Sequence, residues 1–357
     1  MRNKDDIKEL LDYFQNAEEK PLKFDEEAIV TAYQKDNDNQ SLPIKILSVF
    51  GGILASLAFL GFLFIAGLYN SDVALLLFGG IFIAASIWIN KQYDKIIIDT
   101  ISVSSFIIGF ILLGFGCEQL NINESILSII FIIIALISLS IVQNYILSFV
   151  SIQVINGSIL ALIMLNNAYD LIHVYVSILS LTMTYFFLRE AKIITTHKAL
   201  SNLYNPVRIG LVFSFISGLV FLGKKGILPA SPGYTWLSSV IIISVIVYLI
   251  SGLFDFLKIT DIRHKTGIYI FTVLVLLPTA LSPAIPGAVL IILLSFFVNY
   301  KTGVVLGIIS LIYFVSQYYY DLDFTLLTKS ILLFSTGVLF IALYLFTCKK
   351  LDSYDKV

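Results

Sequence analysis

The sequence predicts an all-α fold: a polytopic membrane helix bundle of about 12 transmembrane helices, with a short cytoplasmic helical N-terminal segment. Of the 357 residues, 58% are hydrophobic and only 13% are charged, and the mean hydropathy is +0.92. A soluble domain is about half apolar and roughly a quarter charged. The composition therefore predicts a membrane protein, and a formal net charge of −1 offers no broad basic surface for nucleic acid.

Apolar runs of membrane-spanning length follow one another from residue 44 onward, separated by short polar stretches. A helix needs about 20 mostly apolar residues to cross the hydrocarbon layer. Counts of ten or eleven spans remain open, because only Gln143 and Asn144 separate two runs and the 278–286 stretch is rich in proline. The predicted spans are 44–68, 73–89, 97–116, 125–142, 145–165, 171–188, 207–222, 236–256, 267–280, 285–300, 303–318 and 325–347.

The distribution of Lys and Arg predicts that both termini are cytoplasmic, because basic loops stay on that side of the membrane. With the N-terminus inside, the outside loops hold only Lys224 and Lys225, with Lys329 just inside the last helix. The inside loops and the C-terminal tail hold most of the other basic residues that follow the first span. An even number of spans fits this alternation.

Three regions are predicted along the chain. Residues 1–43 form a cytoplasmic amphipathic helical tail, in which Ile7, Leu10, Leu11 and Phe14 share one helical face. This tail either packs on the bundle as a cap or binds a partner. Residues 44–348 form the bundle, with possible halves 44–188 and 207–348 joined by the cytoplasmic linker 189–206, and 349–357 form a cytoplasmic tail.

Two polar residues, Gln153 and Asn156, fall near the middle of the fifth predicted span. Because they are three residues apart, they share a helical face. Two interpretations are open for this mid-membrane polar pair. Both side chains hydrogen-bond to neighbouring helices, or they line a polar cavity.

The stretch "YYYDLDFTLLTKS", residues 318–330, concentrates polar groups at the predicted outer surface. Tyrosines collect at membrane interfaces, Asp323 can cap the final helix, and Lys329 can extend toward water or pair with an acid, for which Asp321 is the first candidate. The alternative is an outer-side polar site. Its candidate residues are Tyr318, Tyr319, Tyr320, Asp321, Asp323 and Lys329.

An irregular turn is predicted on the same outer side. Three prolines at 278, 283 and 286 cannot all lie inside one regular helix without removing backbone donors. Irregular backbone at membrane depth requires burial in protein or contact with a water-filled cavity. The candidate turn residues are Ser282, Pro283, Pro286 and Gly287.

Metal, disulfide and catalytic signatures are missing from the sequence. Cys117 and Cys348 lie at opposite ends of the hydrophobic region, and the chain has only 3 histidines. There is no HExxH, P-loop or GxSxG motif. The sequence therefore predicts no cofactor, no metal site and no catalytic residue.

One stretch resembles a known family: "PTALSPAIPGAVLIILLSFFVNYKTGVVLGIISLIYFVSQYYYDLDFTLLTKSILLFSTGVLF", residues 278–340. It is similar to the bacterial membrane family called domain of unknown function 4401, chiefly in the tyrosine triplet with the residues that follow it, and in the proline–glycine entry to the tenth span. This chain reads "SPAIPG" where the family pattern has a tighter Ser-Pro-Gly turn. The resemblance implies a bacterial cytoplasmic (inner) membrane protein without an assigned activity. It also implies a complex with other membrane proteins, including single-span partners with a GDYxxLxY motif.

Three functions are compatible with these observations. The first is a subunit of a bacterial envelope membrane complex, which the resemblance and the scarcity of deep charges favour. The second is a secondary transporter or lipid-moving protein, which a layout of two six-helix halves would suit. The third is a membrane-embedded enzyme acting on a lipid or glycan at the outer face.

Overall fold

The computed structural model describes residues 42–92, 96–196, 198–224, 226–227, 234–256 and 261–321, with further positions between 325 and 341. Nearly all of the predicted N-terminal tail and the whole C-terminal tail lie outside the described residues. Asp323 and Lys329 of the predicted outer-side site also lie outside them.

All regular structure in the described ranges is helical, as predicted. Within the described residues, two 3₁₀ turns, Leu68–Asn70 and Leu277–Leu281, interrupt the α-helices. The α-helices are α1 (Leu42–Ile65), α2 (Asp72–Gln92), α3 (Ile96–Gln119), α4 (Glu124–Ile141), α5 (Tyr145–Leu165), α6 (Leu171–Leu188), α7 (Glu190–Thr196), α8 (Lys198–Gly223), α9 (Thr235–Phe256), α10 (Ile262–Leu276), α11 (Ala284–Phe297) and α12 (Lys301–Asp321).

Eight of the helices in the described part of the chain are long and apolar enough to cross a membrane: α2, α3, α4, α5, α6, α8, α9 and α12. This number identifies a multi-span membrane protein. Helices α10 and α11 are shorter, with 15 and 14 residues. The predicted total of twelve spans and the cytoplasmic tail stay predictions.

Asparagines end and begin several of these helices. Asn121, Asn167 and Asn299 have φ values of 53°, 52° and 53°, the left-handed conformation that follows a helix C-terminus. After α3, the N–H of Ile122 bonds to the carbonyl of Cys117 at 2.9 Å, which completes a Schellman motif. At the next helix, the side chain of Asn123 accepts the N–H of Ser125 and caps α4.

Among the described helices, α2 and α3 have the most extensive contact with each other. Gly79 and Gly109 face each other so closely that a Cβ on Gly109 would lie 2.9 Å from the Gly79 carbonyl oxygen. Two turns along, Ser86 Oγ donates to the Ser102 carbonyl at 2.7 Å and Ser102 Oγ donates back to the Ser86 carbonyl at 2.9 Å. Small residues thus allow the two backbones to approach, and the hydroxyls then join them.

The largest buried core lies between α6, α8, α9 and α11, with contributions from the end of α5 and from α12. Helix α6 packs mainly on helices that follow it, although the predicted first half, 44–188, includes it. The predicted linker 189–206 is largely helical, because α7 and the first turns of α8 occupy it. A smaller core lies between α1, α2 and α3. Another smaller core lies between α2, α3, α4 and α5.

The proline-rich stretch leaves α-helical geometry for a short distance only. Helix α10 ends at Leu276, a 3₁₀ turn covers Leu277–Leu281, and Ser282 and Pro283 lead into α11. Pro286 and Gly287 lie in the first turn of α11, inside regular helix. Proline is tolerated there because the first-turn N–H groups have no partner within the helix.

We predict that Gly109→Ala destabilises the protein by about 1–3 kcal/mol, because the new methyl group meets backbone atoms of α2 that cannot move aside. Gly80→Ala is the matched control, since no atom lies within 4 Å of its added Cβ. The melting temperatures of the two variants, measured by thermal unfolding in detergent, are compared with that of the unmodified protein. Equal stability of the two variants would contradict the close α2–α3 contact.

Candidate functional site

The predicted mid-membrane pair lies between three helices. Gln153 Nε2 donates to the carbonyl oxygen of Gly210 on α8 at 3.1 Å. Asn156 Nδ2 donates to the Ile152 carbonyl of its own helix at 2.9 Å, and Asn156 Oδ1 accepts the hydroxyl of Tyr175 on α6 at 3.2 Å. The two side chains therefore join α5 to α8 and α6.

A carboxylate joins α2, α3 and the start of α5 at one end of the bundle. Asp99, in the first turn of α3, accepts Asn90 Nδ2 of α2 at 3.2 Å and Asn144 Nδ2 at 2.9 Å. Asn144 is also the N-cap of α5, where its Oδ1 accepts the N–H of Ile146 at 2.9 Å. An acid is favoured at a helix N-terminus, so Asp99 suits this position.

A second polar cluster surrounds Arg208 on α8, whose side chain is only 12% exposed. Its Nη1 lies 3.3 Å from Glu190 Oε1, and its Nη2 donates to Asn205 Oδ1 at 2.7 Å. The guanidinium carbon lies 3.9 Å from the ring centre of Tyr300 and 5.0 Å from that of Tyr204. We call these five residues the arginine box.

Aromatic rings complete the arginine box. Tyr204 stacks on Phe186 of α6 at a centroid distance of 5.0 Å. Tyr300 lies in the link between α11 and α12, and burial raises its pKa to about 12, so its ring stays a neutral phenol near pH 7. Two aromatic rings within 5.0 Å of a partly desolvated guanidinium provide favourable cation–π contacts. The box thus ties α7 and α8 to the α11–α12 link.

The Asp99 cluster and the arginine box lie at the same end of the bundle. Asn202 Nδ2 of α8 donates to Gln143 Oε1 at 3.1 Å, and Gln143 directly precedes the Asn144 that bonds to Asp99. This is the end predicted to be cytoplasmic. In the charge distribution of the sequence, Arg208 is one of the basic residues that the topology predicts on the inside. The local signal for the arginine box is "YNPVR" at 204–208, which places a tyrosine and an arginine one helical turn apart.

The described residues of the predicted outer-side site occupy the last turns of α12. Gln317 Nε2 donates to both carboxylate oxygens of Asp321 at 3.0 Å. The rings of Tyr319 and Tyr320 meet edge to face at 5.7 Å, and Tyr320 is 76% exposed. The pairing of Asp321 with Lys329 stays a prediction.

The irregular turn lies at the same end as this tyrosine cluster. At the C-terminus of α8, a Cβ on Gly223 would lie 3.0 Å from Ala284 Cβ at the start of α11 and 3.5 Å from the Phe314 ring, one turn before Tyr318. Ser282 and Pro283 immediately precede Ala284. The two groups predicted on the outer side thus share one end of the bundle, opposite the arginine box.

A buried histidine also lies near that end. His173 on α6 is 1% exposed, and its Nδ1 lies 3.0 Å from Ser238 Oγ of α9. Its Nε2 is buried without a hydrogen-bond partner. Among the described residues, no group of three or more His, Cys, Asp or Glu side chains is placed to hold a metal ion.

We predict that Arg208→Gln lowers the stability of the detergent-solubilised protein by about 2–3 kcal/mol, because it removes charged hydrogen bonds and two ring contacts. Arg208→Lys should restore only part of this loss, since an ammonium cannot reproduce the planar guanidinium. Lys192→Gln, at an exposed position on α7, is the control and should leave the melting temperature unchanged. A loss no larger than that of the control would contradict a structural role for the arginine box.

A comparison with models of known protein families gives a match. The family model described as "Domain of unknown function (DUF4401)" matches residues 41–350. Neither the curated proteins nor the solved structures give a match. The matched region covers the helical bundle from its first described helix onward, and the chain therefore belongs to the DUF4401 family.

Proposed function

We propose that this protein is a structural subunit of a membrane complex in the bacterial cytoplasmic membrane, which it helps to assemble through the apolar outer faces of its helices. The bonding of Gln153 and Asn156 carries this proposal. These two residues are the polar pair at the middle of α5, and both bond to neighbouring helices. A translocation path needs polar groups that are free to meet a solute, whereas helix packing uses such groups as links.

The outer faces of several helices provide the surface for assembly. In their most apolar 18-residue stretches, only 17% of α4 and 22% of α2 and of α12 is buried within the chain, compared with 56% of α6. Large apolar residues on these faces, such as Ile133 and Ile309, are 51% and 59% exposed. Lipid or the helices of a partner must cover this surface.

The partner class follows from the family resemblance. We propose that other membrane proteins, including a single-span protein with a GDYxxLxY motif, pack against these faces. A single added helix needs a long apolar face without deep charges, and α4 offers such a face: its apolar stretch contains no Asp, Glu, Lys or Arg after Glu124.

Photo-cross-linking in native membranes tests this proposal. With benzoylphenylalanine at Ile133 or Ile309, we expect at least one variant to cross-link to one discrete membrane protein. The same variants in a strain without the GDYxxLxY-type protein are the control, and the adduct should disappear there. Cross-links to lipid alone at both positions, together with a protein that migrates as a single chain from mild detergent, would contradict the proposal.

A further inference from the structure

A groove of about 750 Å³ lies on the lateral surface of the bundle, between α6 and α9. This volume is in the range of about 300–1,000 Å³ that ligand sites occupy. Residues of both helices line it, together with the residue that follows α6: Leu181, Thr184, Tyr185 and Leu188 of α6, Arg189 directly after α6, and Ile241, Ser244, Val245 and Tyr248 of α9. The groove lies outside the arginine box and the polar pair of α5.

Polarity changes along the groove. Its middle is apolar, with Leu181 and Ile241 on opposite walls and the buried Val245 below them. The hydroxyls of Thr184 and Ser244 donate to carbonyls of their own helices at 2.7 Å, so they present no free donor to the groove. A hydrocarbon chain therefore fits this part without stranding a polar hydrogen.

The end of the groove near the C-terminus of α6 is cationic and rich in hydroxyls. Arg189 is exposed, and among the described residues no carboxylate pairs with it, because the neighbouring Glu190 pairs with Arg208. Tyr185 and Tyr248 are 61% and 65% exposed, and within the described ranges neither hydroxyl has a hydrogen-bond partner. One guanidinium and two phenols are thus available together at the mouth of an apolar groove.

We propose that this groove binds one anionic phospholipid, with an acyl chain along Leu181, Ile241 and Val245 and the phosphate at Arg189. The gradient from apolar walls to an uncompensated arginine matches the shape and charge of such a lipid. A guanidinium can bond two phosphate oxygens at once. Basic pockets between membrane helices commonly hold anionic headgroups.

Titration of the delipidated full chain in non-ionic detergent tests the proposal, with short-chain phosphatidylglycerol as the probe and phosphatidylcholine of the same acyl chains as the zwitterionic control. Thermal unfolding and native mass spectrometry report binding. We expect saturable binding of one phosphatidylglycerol and at least several-fold weaker binding of phosphatidylcholine. Equal binding of the two lipids would overturn the proposal.

Two pairs of variants locate the site. Arg189→Gln should weaken phosphatidylglycerol binding about tenfold, as expected for the loss of a charged hydrogen bond. Arg263→Gln, an exposed arginine at the start of α10, should bind like the unmodified protein. Ser244→Trp should fill the groove and abolish binding, whereas Ile178→Trp, on an exposed α6 position outside the groove, should not. If Ser244→Trp fails to fold, the comparison of phosphatidylglycerol binding by Arg189→Gln and by Arg263→Gln decides whether the lipid binds at Arg189.

The alternative occupant is a partner helix. Benzoylphenylalanine in place of Tyr248 should cross-link to phospholipid in native membranes. Cross-linking to a polypeptide at this position would assign the groove to a partner and overturn the lipid site. Unchanged binding by Arg189→Gln would overturn it as well.

Discussion

Between membrane-spanning helices there is no bulk water, so a buried polar group is stabilised by a hydrogen bond within the protein. Among the described residues only a few buried side-chain atoms, such as His173 Nε2 and Ser214 Oγ, lack one. Most buried hydroxyls meet this need inside their own helix. Thr184 donates to the Ser180 carbonyl and Ser177 to the His173 carbonyl, each four residues earlier in the chain. Such bonds satisfy the hydroxyl donor but do not link one helix to another. The bonds that cross between helices are therefore the informative ones.

The cross-helix bonds concentrate in a few places. Ser86 and Ser102 join α2 to α3, and Gln153 and Asn156 join α5 to its neighbours. Interhelical hydrogen bonds in membranes contribute only about 0.6 kcal/mol on average, so they select helix partners more than they supply stability. Packing of apolar side chains in the core around α6 and α8 provides the larger area of contact.

Charge is kept at the ends of the bundle, where water and headgroups are near. The arginine box is the most elaborate example, because Arg208 has a carboxylate, an amide oxygen and two aromatic rings around it. A guanidinium with so many partners holds α7, α8 and the α11–α12 link together. Arg189, only one residue before Glu190, has no such partners among the described residues. The two arginines thus have different environments: Arg208 links helices, whereas Arg189 is exposed at the surface of the bundle.

Helix positions were predictable because two local signals agree. Apolar runs of about 20 residues identify spans, and asparagines mark their ends. The predicted spans 145–165 and 171–188 coincide with α5 and α6. Pairing between helices was not predictable, because an apolar run does not specify which face meets which neighbour. Nothing local indicates that Gln153 bonds to the Gly210 carbonyl 57 residues away, or that Tyr300 covers Arg208.

The polar side chains of Gln153 and Asn156 are bonded to neighbouring helices, and we infer that water does not reach them. Accessibility of Gln153→Cys and Asn156→Cys to a water-soluble thiol reagent tests it most directly, in a background with alanine at both native cysteine positions. Asn121→Cys, in the exposed turn after α3, is the reactive control. We predict that the cysteines introduced at positions 153 and 156 stay unmodified in intact cells and in inside-out vesicles, and react after denaturation. Modification of either one at the rate of the control, from either side of the membrane, would contradict it.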